Sequence, residues 1–146
     1  MKIAICGSMS FASEMLDTQA YLEQNGHVCL IPHDIEESLI GTVDKSGNAV
    51  FRKIHLNLIR RHYEKIKEAD AVLILNIEKN GIVNYIGANT FLEMGFALVL
   101  NKTIFLFNPL PDNPFIRDET ESMMPIILNG SLKMIGKTKI EREPLL

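Results

Sequence analysis

Ala71-Val72-Leu73-Ile74-Leu75 (AVLIL) is the stretch that decides how this chain is built. It is apolar throughout, and a strand with no polar face is a strand buried on both sides. Lys2–Cys6 (KIAIC) closes in a tight turn at Gly7-Ser8 and has the same character. So do His27–Ile31 (HVCLI, ended by Pro32) and Lys102–Phe107 (KTIFLF), and Leu132–Ile135 reads as a short fifth strand. Helical patterns lie between them. From Phe11 to about Gln24, Ala12, Met15, Leu16, Gln19 and Leu22 recur at helical spacing, with Ser8 or Ser10 as N-cap and Asn25-Gly26 as the stop. Phe51 to Lys67 is amphipathic, with Ile54, Leu58, Ile66 and Ala69 on one face. Thr90 to Leu100 is apolar almost all round, and Asp118 to Leu128 is a weaker helix with Pro125 inside it. His33 to about Val50, Asn76 to Gly87 and the Pro-rich NPLPDNP (Asn108–Pro114) read as loops, and the tail EREPLL as frayed.

Doubly buried strands alternating with helices predict an α/β fold with a parallel sheet covered on both faces. Right-handed crossovers make it an open doubly wound, flavodoxin-like sheet of about five strands in the order 2-1-3-4-5. The 146 residues fit one domain, 1–146, long enough to form a core without a disulfide or metal staple. Lys and Arg number 15 against 18 Asp and Glu, so no basic excess attracts nucleic acid. No apolar run approaches the ~18 residues that span a bilayer. The start MKIAICGS lacks signal-peptide features, and Cys6 and Cys29 form no CxxC. Both cysteines are expected to be reduced and buried, and the protein to be cytoplasmic.

Ligands of such sheets bind beyond the carboxyl ends of the strands. That rule selects Gly7–Phe11, the loop after Pro32, Asn76–Glu93 and Asn108–Glu119. Gly7-Ser8-Met9-Ser10-Phe11 joins the first strand to the first helix; a glycine, two hydroxyls and a helix start suit a phosphate or a sugar hydroxyl. A plain turn with an N-cap accounts for the same residues. The loop is neither GxGxxG nor GxxxxGK[ST], which disfavours a dinucleotide site and an NTPase. A receiver domain would need paired acids after the first strand and an Asp after the third, where Gly7-Ser8 and Asn76 stand. The Thr-rich phosphate loop of a flavodoxin is missing.

Glu93 is the only charge in FLEMGFALVL (Phe91–Leu100). Burying a lone carboxylate costs several kcal/mol unless partners satisfy it. Thr90 to Glu93 fits a capping box, which is the structural explanation. The functional one places Glu93 in the first turn of a helix starting at the carboxyl edge of the sheet, held ionised by the helix dipole as a nucleophile or electrostatic stabiliser. His62 falls on the apolar face of its helix. Helix and strand rises put it near the height where the third strand ends, facing the site as acid, base or hydrogen-bond donor; a satisfied core histidine is the alternative. Asn76 ends the third strand toward the site. Tyr85 can stack on a flat ring, and Asn84 and Asn89 can read base edges. Asp70, at the opposite end of the sheet, reads as a loop or cap residue. Asp112, Asn113, Arg117, Asp118 and Glu119 form a late charged loop, a lid or simply a solvated face. His27, His33 and His55 show no metal-ligand spacing, so no metal is expected.

The order of these motifs is familiar. GSMSF after the first strand, then IRRHYEKIKEADAVLILN, then YIGANTFLEMGFALVLNKTIFLF resembles the nucleoside 2-deoxyribosyltransferase superfamily over roughly residues 1 to 130. That group includes the 2'-deoxynucleoside 5'-phosphate N-hydrolases. The resemblance implies that Glu93 attacks the anomeric carbon of the sugar. It implies that Gly7, Ser8 and Ser10 hold sugar or 5'-phosphate; together with Met9 and Phe11 of the same loop and with Asn76, Tyr85, Gly87, Asn89 and Thr90, they make up the expected substrate site. Two departures stand out. His62 replaces an aspartate that relatives often carry near the base, and Ile86-Gly87-Ala88-Asn89-Thr90 replaces the usual Asp-Ser-Gly-Thr loop. The expected activity is N-glycosidic bond cleavage or transfer on a nucleoside or nucleoside 5'-monophosphate, with no cofactor. The alternative is an inactive nucleotide-binding or sensor module. The apolar Phe91–Leu100 helix also suggests a homo-oligomer, a dimer or higher.

Overall fold

The computed structural model describes residues 1–39 and 49–137. The elements run β1 (Lys2–Cys6), a 3-10 turn (Met9–Phe11), α1 (Ala12–Gln24), β2 (Val28–Leu30), α2 (His33–Leu39), α3 (Ala49–His55), α4 (Leu58–Glu68), β3 (Ala71–Ile74), α5 (Ala88–Val99), β4 (Thr103–Leu106), α6 (Arg117–Ser122), β5 (Ile126–Ile127) and a closing 3-10 turn (Leu132–Met134). The strands form one five-stranded sheet in the order β2-β1-β3-β4-β5 with every pairing parallel, as the apolar runs predict. No helix among the described residues is long and apolar enough to cross a membrane.

Strand periodicity divides the core in two. Ile3, Ile5, Ala71, Leu73, Leu75 and Phe105 point to one face, where Met15 and Leu22 of α1 and Ile35 of α2 cover them. Ala4, Cys6, Val72, Ile74, Ile104 and Leu106 point to the other, under Ile66 of α4 and Met94 and Ala97 of α5. Cys6, the last residue of β1 and the register partner of Ile74, therefore emerges between α4 and α5 at the carboxyl edge.

Four expectations need correction. His33 onward is not all loop: Pro32 is followed at once by α2, whose first turn carries Asp34 and Glu36, a favourable place for acids. The helix expected from Phe51 to Lys67 is two helices, broken at Asn57 in the left-handed region (φ 51°). The break turns Ile54 away, and it is 73% exposed rather than on the buried face of Leu58 and Ile66. The fifth strand is Ile126–Ile127, directly after Pro125, and Leu132–Met134 is a 3-10 turn. Pro125 therefore precedes a short edge strand instead of interrupting a long helix, and α6 ends at Ser122. Residues 40–48 of the expected loop and the EREPLL tail lie outside the described residues.

Asp70 behaves as read: its Oδ2 accepts a hydrogen bond from the Lys2 backbone N–H at 2.7 Å, at the amino end of the sheet.

Candidate active site

A cavity of about 550 Å3 opens at the carboxyl edge of the sheet. Of the residues singled out from sequence, Gly7, Ser8, Met9, His62, Tyr85, Gly87, Asn89, Thr90 and Glu93 line it. Four do not. Phe11 is buried beneath the turn, Ser10 donates its backbone N–H to the capping Ser8 Oγ, Asn84 sits in the left-handed region (φ 54°) outside the lining, and Asn76 is fully buried elsewhere. The Asn76 amide joins the ends of β3 and β4: Nδ2 donates to the carbonyls of Asn108 (3.0 Å) and Pro109 (2.9 Å), and Oδ1 accepts from the Asn108 N–H at 2.8 Å. It is a clamp behind the site. The late charged loop contributes nothing to the cavity among the described residues.

Glu93 reaches the cavity floor by helical spacing. Thr90, Glu93, Met94 and Ala97 form the buried stripe of α5, so the carboxylate is carried inward with the core residues; it is 7% exposed. The capping-box expectation fails, because the N-cap is Gly87 and Thr90 already lies inside the helix. Glu93 is thus in the second turn, beyond the strongest reach of the helix dipole. Burial pushes its pKa up to about 8, against a hydrogen bond from Cys6 and the charge of Lys53, which pull it down. The resting carboxyl is therefore largely protonated at neutral pH, which corrects the expectation of an ionised group. Asn89, one turn earlier, donates from Nδ2 to Glu93 Oε1 at 3.3 Å.

His62 stands on the inner face of α4, 4% exposed, with Nε2 3.9 Å from Glu93 Oε2. Burial and the nearby Lys65 lower its pKa to about 4, against the Ile5 carbonyl and Glu36. The ring is neutral, so this contact is a carboxylic acid facing an imidazole and not an ion pair. His62 Nδ1 makes no hydrogen bond of good geometry among the described residues.

Sequence reading missed the third member of the group. Cys6 Sγ lies 3.3 Å from His62 Nε2, and burial, then the neighbouring Glu93, raise the thiol's pKa well above the usual value. The ligand atoms of Cys6, His62 and Glu93 all lie within 4.8 Å of one another, a set of donors capable of holding a metal ion. Spacing along the chain could not reveal it, since the three come from β1, α4 and α5.

Lys79 was missed too. Asn80 (φ 50°) and Gly81 (φ 79°) make a tight reversal in which Lys79 and Ile82 exchange backbone hydrogen bonds. Asn-Gly is the usual signal for this turn, and it was legible. The reversal sends Lys79 Nζ to Ser8 Oγ at 2.9 Å and over the Tyr85 ring, 5.0 Å from its centroid. Ser8 Oγ also meets Ser10 Oγ at 2.8 Å, so one end of the cavity has a cation and a cavity-facing hydroxyl. Pro32, His33, Asp34, Lys53, Leu58 and Ala88 complete the wall. Gly7 has a packing role as well: a Cβ there would lie 3.1 Å from Met15 Cε and 3.3 Å from the Leu75 carbonyl oxygen.

No family model matches the chain, and no curated protein matches it. Among solved structures it is similar to a 2-deoxyribosyltransferase from the psychrotolerant bacterium Bacillus psychrosaccharolyticus, with a TM-score of 0.54 and 20% identity over 87% of this chain and 98% of that one. The fold thus resembles that of a 2-deoxyribosyltransferase at a distance in sequence where only the fold is shared ground.

Proposed function

We propose that the protein cleaves or transfers the N-glycosidic bond of a nucleoside or nucleoside 5'-monophosphate, with Glu93 as the nucleophile. The observation that supports this most is the position of Glu93, the carboxyl on the buried stripe of α5, at the floor of a cavity of about 550 Å3. That volume lies in the range of small-molecule sites. The likeness in fold to a 2-deoxyribosyltransferase points the same way.

In this reading Glu93 gives up its proton to solvent through the cavity before substrate seals it, with the neutral His62, its Nε2 3.9 Å from Oε2, as a hydrogen-bonding neighbour. The freed carboxylate attacks C1' through an oxocarbenium-like transition state. The C1'–N bond breaks, and the departing base takes up a proton from solvent in the cavity. Water, or a second base, then displaces Glu93 from C1', completing a double displacement. Tyr85 lines the wall where a base would lie. Ser8 and Lys79 stand where a sugar hydroxyl or a 5'-phosphate would lie.

Base release from a panel of nucleosides and 5'-monophosphates tests the reading. Glu93→Gln should lower turnover by about three orders of magnitude or more. Unchanged turnover in that variant defeats the assignment. The protonated resting state of Glu93 gives a binding-only module some support. Such a module would show ligand-dependent thermal stabilisation without any base release. We also propose that the exposed Leu92, Leu98 and Val99 of α5 belong to a homodimer contact. Sedimentation showing only monomer at high concentration would exclude that.

A further inference from the structure

We propose that Cys6, His62 and Glu93 form a zinc site, and that an ion bound there shuts the cavity's carboxylate. The donors are a thiol, an imidazole and a carboxylate, the set that zinc prefers over magnesium or calcium. Their separations fit one ion. Bond lengths of about 2.0 to 2.3 Å in a tetrahedral site place a sulfur and a nitrogen ~3.6 Å apart, and a nitrogen and an oxygen ~3.4 Å apart. Cys6 Sγ to His62 Nε2 is 3.3 Å, His62 Nε2 to Glu93 Oε2 is 3.9 Å, and all three atoms lie within 4.8 Å of one another.

The surroundings support the same arrangement. Asn89 holds Glu93 Oε1, which leaves Oε2 toward His62. Supporting contacts of this kind orient the ligands of known metal sites. All three side chains are buried on a rigid frame of one strand end and two helices, while His62 and Glu93 also border the cavity. The cavity therefore provides both a route in for the ion and a fourth coordination position. Binding displaces the protons of Cys6 and Glu93 to solvent. It also occupies the Glu93 oxygen that would otherwise attack.

The ion site rests on geometry alone, and its effect on turnover rests on the glycosidic reading above. Cobalt(II) added to the metal-free full chain is the direct probe. A thiolate-to-cobalt charge-transfer band with intense visible transitions is expected in the wild type, and the charge-transfer band should vanish in Cys6→Ser, which preserves the size of the residue. Absence of the band in the wild type overturns the site, as does its persistence in Cys6→Ser. Circular dichroism confirms that each protein is folded, and Glu93→Gln, expected to bind cobalt more weakly with the thiolate band retained, provides a second variant. With zinc alone as the probe, base release should fall with one equivalent per chain. The zinc concentration needed in Cys6→Ser should rise about a hundredfold or more, since even outer-shell partners are worth 10- to 100-fold. Base release that is indifferent to zinc overturns the inhibitory role. If no substrate releases a base, the glycosidic reading fails, and the cobalt spectrum still decides the ion site.

Discussion

Asn89 Nδ2 and Glu93 Oε1 are 3.3 Å apart, one helical turn from each other on α5. Both side chains border the cavity, so the amide fixes the carboxyl from the side that substrate approaches. A hydrogen bond to a charged group is worth roughly 1.5–3 kcal/mol. Asn89→Ala should therefore lower kcat about tenfold or more, with a smaller change in KM, in steady-state assays of base release. Equal kcat in the two proteins would remove Asn89 from the positioning of Glu93.

Stability should depend on pH in a way that the buried pair dictates. Glu93 in the folded chain keeps its proton up to about pH 8, whereas the unfolded chain loses it near the ordinary value of 4.5. Across that window the folded state holds the extra proton, so stability falls as pH rises. His62 acts oppositely: its folded value of about 4 lies below the ordinary 6.5, so the unfolded state holds the extra proton between them, and stability rises with pH. The two slopes cancel between about pH 4.5 and 6.5. From about pH 6.5 to 8 the Glu93 slope dominates, and stability falls as pH rises. Urea denaturation of chelator-treated protein across this range should show the decline, and Glu93→Gln should flatten it. A wild-type curve that rises from pH 6.5 to 8 would contradict the buried, protonated carboxyl.

Asn76 should matter for stability more than for binding. Replacing it with Ala leaves the Asn108 N–H and the carbonyls of Asn108 and Pro109 without their partner. Asn108 is half-buried and Pro109 is exposed, so water satisfies part of what is lost, and a loss of about 1–2 kcal/mol in denaturant midpoint experiments is expected. If Asn76→Ala is as stable as wild type but binds ligand poorly, Asn76 belongs to the site and the clamp is secondary.

The sheet was legible because its strands are apolar on both faces. AVLIL admits few other readings, and right-handed crossovers then leave little choice of order. The helix boundaries were less so. The break at Asn57 depends on a left-handed backbone that an asparagine tolerates but does not announce. The fifth strand was misplaced because Ile126–Ile127 is too short to show a period, whereas Leu132–Ile135 carries as much apolar character. Glu93 stood out as the one charge in an apolar helix, and His62 by its height along α4. The ionisation of Glu93 was misjudged because burial on the inner stripe of α5 governs it, and the depth of that burial depends on how α4 and α5 pack over β1. Cys6 was passed over as an inert thiol, since its neighbours are 56 residues away at His62 and farther still at Glu93.

The separation of these three residues in the chain has a consequence for how the protein matures. Residues 6, 62 and 93 meet only after β1 has paired with β3 and both α4 and α5 have docked on the same face. No single fragment of local structure contains the group. A proteolytic piece or a partly assembled intermediate lacking any one of these elements lacks the group of three donors, and its carboxyl stays open to water. Acquisition of the site is thus a report that assembly is complete.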